Sequence, residues 1–534
     1  MKRSASRRRV RTAGAVLTAA VLAVGCSSGS SGSSDEFSLD TPTSIGESPS
    51  VIAGVAFPED SVNRAVAKLD DLAEQVMSNS GIPGMAIAVV HGGKVLYAKG
   101  FGVRDIEKGD KVDADTVFQV ASVSKSVSAT VVASEVTKGD VSWDSKVKEL
   151  MPNFSLADPW VSDNVTVGDG FSHRTGLPGA AGDKLEDLGF DRQYILDHLR
   201  MHQLNPFRIT YNYANYGLTM GAEAVATKAG KEWADLAEDA IYKPLGLDST
   251  SSRHSDFLTR SNRATLHQKV DGRFVHDLDR DADPQSPAGG VSSSVNDLAK
   301  WLLMVLGNGT YEGKQIYSPE SFLPAISPQV VSHPPSTPES RASFYGYGYN
   351  VNTSAAGRTG FNHSGAFLSG AATNILALPS ADVAIVTLTN AWPIGVPEIV
   401  NESFSDLVQF GSITEDFTAL FTKVLGPITV PDGSLVGKSA PTNPAPAKPL
   451  SEYAGTYAND YYGPATISEK DGALVLGLGP AGQTFPLKHW DGDTFTFTLL
   501  TENAAPGTIS KATFDGGRLN LEYYDAEKMG TFVR

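Results

Sequence analysis

The chain has 534 residues, enough for two or three domains, and its 41% hydrophobic and 19% charged residues are the balance of an ordinary globular protein. Its formal charge is −16, and the first 25 residues hold six basic side chains and no acidic ones, so the remainder carries −22. That acidity excludes a protein built to bind phosphate backbones, which needs clustered positive charge; no nucleic-acid partner is expected.

The N-terminus reads as an export signal. "MKRSASRRRVR" is the charged segment, and "AGAVLTAAVLAVG" is an apolar core of signal-peptide length, too short for a membrane span. "SRRRVR" is similar to a twin-arginine signal, so two export routes stay open. The core ends at "LAVGC", and Cys26 is the only cysteine. This resembles a bacterial lipoprotein processing site. The resemblance implies a signal peptide over 1–25 and lipid on Cys26. It also implies a place in the cell envelope, outside the cytoplasmic membrane, with plain secretion as the alternative. "SSGSSGSSDEF" makes 26–58 a flexible tether, and the cysteine-free remainder suits an oxidising compartment.

Next, Val62, Ala65, Leu69, Leu72 and Val76 recur at helical spacing and predict a helix over 61–79. "GMAIAVVHGGKVLYAKGFG" holds two β-rich runs around His91-Gly92-Gly93, a hairpin with a solvated turn histidine. "FQVASVSKSVSATVVASEV", 118–136, passes from a short strand into a helix that begins at Ser122. From 122 to about 310 the pattern is mostly helical. In "SSVNDLAKWLLMVLGNG" it includes a capping-box candidate, Ser294 with Asp297, and a stop at Gly307 or Gly309. Strands return over 345–390 in "YGYGYNV", "GAATNILALP" and "DVAIVTLTN". Strands at both ends with helices between predict one α+β domain over 59–426, its sheet closed by distant segments. Residues 427–450 are Pro-rich and read as a linker. Residues 451–534 are short β-runs separated by Asp471-Gly472, Asp491-Gly492 and Asp515-Gly516, the pattern of a small all-β, barrel-like domain.

Three short motifs carry candidate chemistry. Ser122 and Lys125 stand three residues apart, so one helix face brings ammonium and hydroxyl together. A serine hydroxyl is a weak nucleophile until a neighbour assists removal of its proton. Tyr213-Ala214-Asn215 opens a second helical segment; a tyrosine near two cations can act as a base, and an asparagine amide can orient a substrate carbonyl or a lysine. His363-Ser364-Gly365 precedes a strand, and its glycine lets another backbone approach the sheet edge. Seen singly, each has a plainer reading as a helix cap, a core tyrosine or a loop histidine.

In the order S-x-x-K, Y-x-N, H-x-G, the three together resemble the serine hydrolases related to class C β-lactamases and penicillin-binding proteins. "VTVGDGFSHRTGLPG", "YKPLGLDST" and "SPAGGVSSSVNDLAKW" fit the same resemblance, which spans about 60 to 425. It implies an antiparallel sheet flanked by helices with a helical subdomain, followed by a small appended β-domain. It implies that Ser122 is the nucleophile, with Lys125 and Tyr213 handling the proton. Asn215, His363, Ser364 and Gly365 would contact substrate, and the backbone N–H groups of Ser122 and Ala366 would form the oxyanion hole. No metal or cofactor is implied, and His173 in "SHRTGLP" is expected to be structural.

Two tripeptides compete for a class A assignment. Ser162-Asp163-Asn164 and Arg358-Thr359-Gly360 spell or approach class A motifs, but no Glu-x-x-Leu-Asn follows the first, and the second precedes His363 without leading directly into the next strand. His363 stands where class C enzymes carry lysine. A histidine near its ordinary pKa of about 6.5 is largely neutral at pH 7, so weak carboxylate recognition is expected. Esters, amides or D-amino-acid peptides are then the expected substrates, with a penicillin-binding protein, weak β-lactamase or carboxypeptidase as the alternative. A non-turnover envelope-binding protein is the reading from another class.

Overall fold

The computed structural model describes residues 57–276 and 279–534; Cys26, the export signal and nearly all of the tether lie outside the described residues. The principal sheet has eight antiparallel strands. In chain order these are β1 (Gly84–His91), β2 (Lys94–Gly102), β3 (Val330–His333), β4 (Ser343–Tyr345), β5 (Asn350–Thr353), β6 (Thr359–Phe367), β7 (Ala371–Leu378) and β8 (Val383–Thr389). Their spatial order is β2-β1-β8-β7-β6-β5-β4-β3, so the N-terminal hairpin joins the C-terminal strands through β1 and β8, Met85 opposite Thr389 and His91 opposite Val383. The distant closure expected from the sequence is therefore present.

The apolar runs of the central strands follow from helices on both faces. Ala86, Ala88 and Val90 of β1 join one core cluster with helices α2 (Val123–Lys138) and α5 (Val295–Leu306). Met85, Ile87 and Val89 join another with α1 (Leu69–Ser80) and α6 (Val396–Phe410). Successive side chains of a strand point to opposite faces, so a strand covered on both sides is apolar throughout. Helix α2 is buried from Val123 to Glu135, which explains its apolar character all round.

The helix expected over 61–79 is two segments, Ser61–Val66 and Leu69–Ser80, joined by a tight turn in which Lys68 N–H donates to Ala65 at 3.1 Å. Helix α5 is capped by Ser294, which accepts from Asp297 N–H at 3.2 Å, and ends at Gly307. The capping box is half-formed: the Asp297 carboxylate instead accepts from Ser249 N–H at 2.8 Å and the Thr250 hydroxyl at 3.0 Å. His91 ends β1, its Nδ1 2.9 Å from the Asp382 carbonyl.

A second eight-stranded antiparallel sheet occupies the C-terminal region in plain sequence order. Its strands are β9 (Gly455–Tyr457), β10 (Ala465–Lys470), β11 (Ala473–Leu478), β12 (Gln483–Asp491), β13 (Thr494–Thr501), β14 (Ala504–Asp515), β15 (Arg518–Leu521) and β16 (Thr531–Val533). Ala458 pairs with Val533 and brings first and last strands together, giving a near-barrel. Asp471-Gly472, Gly492 and Gly516 occupy its turns with positive φ, as the Asp-Gly signals require. Residues 427–450 run along this sheet: Asp432 exchanges hydrogen bonds with Thr508 and Ile509, and Ala445 bonds Asp491 and Gly492. One apolar cluster contains Leu185, Leu188 and Ile195 of the helical subdomain together with Tyr461, Leu487 and Phe497 of the sheet. The described residues all belong to one compact unit.

Candidate active site

Ala121, with a φ of 47°, turns the chain toward helix α2, which begins at Val123 after Ser122. Ser122 occupies the N-cap position but makes no side-chain cap bond. Its hydroxyl is engaged instead by Lys125 Nζ at 2.9 Å, which answers why serine stands there. The other two Lys125 donors reach Asn215 Oδ1 at 2.7 Å and the Ala288 carbonyl at 2.9 Å. Lys125 is fully buried, and that burial lowers its pKa to about 7 against the pull of the Asp183 and Glu186 carboxylates. A neutral amine at this position can accept the Ser122 proton across the same 2.9 Å contact.

Helix α4 (Asn215–Ala229) supplies the next partner at its first residue. Asn215 Nδ2 donates to Asp183 Oδ2 at 3.0 Å, in helix α3 (Asp183–Asp187). Both ends of the amide are thus committed, one to Lys125 and one to Asp183, and Asn215 orients the lysine. Burial, with Glu186 nearby, pushes the Asp183 carboxyl up. Tyr213 lies with its ring centroid 4.7 Å from Lys125 Nζ, and a hydrogen bond links its side chain to Ser122. A tyrosine acts as a base when neighbouring cations lower its pKa. Lys125 lies over the ring, but burial pushes the phenol up, so Tyr213 stays protonated and can donate or relay a proton but does not begin as a base.

Strand β6 carries the third motif. Its pairing with β5 covers Thr359–Asn362, and beyond that it continues beside the start of α2. A Cβ on Gly365 would lie 2.3 Å from the Val120 carbonyl and 3.0 Å from Ser122 N, so only glycine permits this approach. Ala366, the next residue, is exposed. His363 is buried, with Nε2 2.7 Å from the Tyr345 hydroxyl and Nδ1 2.7 Å from the Ser364 carbonyl. The carbonyl can only accept, so Nδ1 carries the proton and Nε2 accepts from Tyr345. Burial and the nearby Lys125 lower the His363 pKa to about 3, well below the ordinary value expected from the sequence. Ser364 points to the opposite face of the strand, where it accepts from Asn374 Nδ2 at 3.0 Å and bonds Glu398, away from Lys125.

His173 is buried with φ 56° and accepts from Ala214 N–H at 3.2 Å. Its ring packs on Tyr213 at 4.4 Å and on Tyr345 at 5.0 Å. Asp183 and Tyr345 are the site residues that sequence reasoning missed; neither stands in a recognisable spacing. The competing tripeptides are structural. Ser162 is buried and bonds Asp158 and Leu156, Asp163 pairs with Lys148, and Arg358 stacks on Phe57 and donates to Ser380. Among the described residues no group of acids, histidines or cysteines is arranged to hold a metal.

The model of the family described as Beta-lactamase matches residues 69–407. The chain belongs to the beta-lactamase family. Residues 439–520 match a domain of unknown function, DUF3471. Among curated relatives, Unguisins hydrolase ungD of Aspergillus violaceofuscus is 26% identical over 480 residues, 81% of this chain and 82% of its own length. Penicillin-binding protein 4 of Amycolatopsis lactamdurans is 27% identical over 395 residues, 71% and 94%. The octameric penicillin-binding protein homologue from Pyrococcus abyssi matches in fold with a TM-score of 0.57 at 19% identity, covering 88% of this chain and all of its own. A class C beta-lactamase from Rhodobacter sphaeroides matches with a TM-score of 0.53 at 22% identity, covering 65% and 98%. As a beta-lactamase-family protein the chain is a serine hydrolase, and its fold is the beta-lactamase type with a C-terminal near-barrel.

Proposed function

We propose that the protein hydrolyses an uncharged ester, amide or D-amino-acid peptide through an acyl-enzyme on Ser122. The observation that carries this reading is the buried Lys125, bonded to Ser122 Oγ at 2.9 Å and held near neutrality at about pH 7. Lys125 takes the hydroxyl proton as Ser122 attacks the carbonyl. The oxyanion is received by the N–H groups of Ser122 and Ala366, each such donor contributing about 10²–10³ in rate. Lys125, with protonated Tyr213, returns the proton to the leaving group, and water then releases the acid by the same route. The neutral His363, tied to Tyr345, offers a substrate carboxylate no cation, which supports neutral acyl donors over penicillin-like acids.

Intact-mass spectrometry with a fluorophosphonate tests the nucleophile. Wild type is expected to gain one adduct and Ser122→Ala none; equal labelling of the variant, or an adduct on Ser162, overturns the reading. With a fluorescent penicillin, fast loss of label indicates turnover, and a lasting label indicates a penicillin-binding sensor. We propose further that Cys26 anchors the exported protein to the membrane, a reading supported by "LAVGC" and the tether that follows. Cys26→Ser is expected to move the protein from the membrane to the soluble fraction; unchanged membrane retention refutes the anchor.

A further inference from the structure

The near-barrel reaches the proposed oxyanion strand. The tip of the β13–β14 hairpin, at Glu502 and Asn503, lies against the hydrolase domain. Glu502 Oε1 accepts from Leu368 N–H at 2.8 Å, and Oε2 accepts from Ser369 N–H at 3.2 Å and from the Ser369 hydroxyl at 2.9 Å. Leu368 and Ser369 form the turn between β6 and β7, two and three residues beyond Ala366. The next residue, Gly370, packs so closely on His267 that a Cβ there would lie 2.2 Å from its backbone N. Bonds from two backbone donors and a hydroxyl to one carboxylate are charge-assisted and directional.

The same tip touches the other side of the site. Asn503 Nδ2 donates to the Asp183 carbonyl at 3.3 Å, and Thr501 donates to Asp187 Oδ2 at 2.8 Å. Between the two contacts lies buried Arg280, 4.0 Å from Glu502 and 2.8 Å from Glu186. The Arg280 carbonyl accepts from Gln119 Nε2 at 2.6 Å, three residues before Ser122. One hairpin therefore contacts both the turn beyond Ala366 and the helix of Asp183.

We propose that Glu502, at the tip of the C-terminal hairpin, is a positioning residue for the oxyanion hole: its carboxylate holds the Leu368–Ser369 turn and so sets the Ala366 N–H against Ser122. This rests on the reading of Ser122 as the acylated nucleophile. It assigns the appended sheet a part in the reaction beyond packing. Removing the carboxylate frees the turn, and the hole receives the developing oxyanion less well while substrate binding is little altered.

The test uses the full chain and a matched pair of p-nitrophenyl oxo-ester and thionoester. An oxyanion hole made of N–H donors favours oxygen over the weaker acceptor sulfur, so the oxo-to-thiono ratio of kcat reads the hole directly. Glu502→Ala is expected to lower kcat on the oxo-ester about tenfold with KM little changed and to lower the ratio. Glu502→Gln, which keeps one acceptor for Leu368 N–H, is expected to lie between Glu502→Ala and wild type. Lys448→Ala, an exposed change in the segment that precedes β9, is expected to match wild type. A folded Glu502→Ala with unchanged kcat and ratio overturns the inference. So does a lowered kcat with an unchanged ratio, which is the result of a merely structural role. If Glu502→Ala does not fold, Glu502→Gln decides alone, by a lowered or an unchanged ratio. A wild type that acquires no adduct on Ser122 overturns the parent reading instead, so the two failures are distinguishable.

Discussion

Lys125 holds three acceptors within 2.9 Å, and its effect on chemistry is decided by which of its neighbours are charged. Burial lowers its pKa; Asp183 and Glu186 oppose that shift. Its neutral form is the one that accepts a proton, so kcat/KM for a neutral ester should rise with pH through about 7 and level off above. Asp183→Asn keeps an acceptor for Asn215 but removes a negative charge that favours the ammonium. The midpoint of the profile should therefore move to lower pH, by about half a unit. A pH–rate series on both proteins checks this, and an unmoved or raised midpoint contradicts the assignment of Lys125. His363 adds nothing to that profile above about pH 5, because its lowered pKa keeps it neutral there. Its sequence position was informative, but its burial and its bond to Tyr345 were not legible, since they come from a strand two places away in the sheet.

At the scale of elements, the site is a meeting of one helix start and one strand edge. The S-x-x-K spacing was readable because a helix brings i and i+3 together wherever it lies. The glycine of H-x-G was readable as a close approach, but not the surface it approaches. Gly365→Ala would place a methyl 2.3 Å from the Val120 carbonyl and force β6 away from α2. We expect acylation at Ser122 to slow by about 10² or more, the cost of losing an oxyanion donor, with the circular dichroism spectrum retained. Near-wild-type acylation would show that the strand does not depend on this approach. The Ser294–Asp297 capping box shows the limit of local pattern. The hydroxyl caps as its spacing predicts, yet the aspartate is taken by Ser249 and Thr250, which no local spacing announces.

Over the whole molecule, the helical subdomain and the C-terminal sheet share an apolar cluster and a hydrogen-bonded seam. Tyr194 donates to the Tyr461 carbonyl at 3.0 Å, and His202 lies 2.7 Å from Glu527 and 2.8 Å from the Tyr461 hydroxyl. A chain ending at residue 426 would uncover Leu185, Leu188 and Ile195. At roughly 1.5–3 kcal/mol for each large apolar side chain kept from water, such truncation should lower Tm and raise binding of an apolar dye. A truncated protein with the Tm of the full chain would show that the shared cluster contributes no stability. The sequence by itself determined the α+β class, the near-barrel strands and their turns, and the order of the three motifs, because these depend on periodicity, turn chemistry and spacing along the chain. Only the tertiary structure decided that Asp183 stands behind Asn215, that His363 is locked neutral, and that Glu502 reaches the turn beyond Ala366. Those partners are 32, 18 and 133 to 134 residues away from the groups they bond. Burial and long-range contact, which set pKa values and hydrogen-bond partners, exist only once those segments have packed.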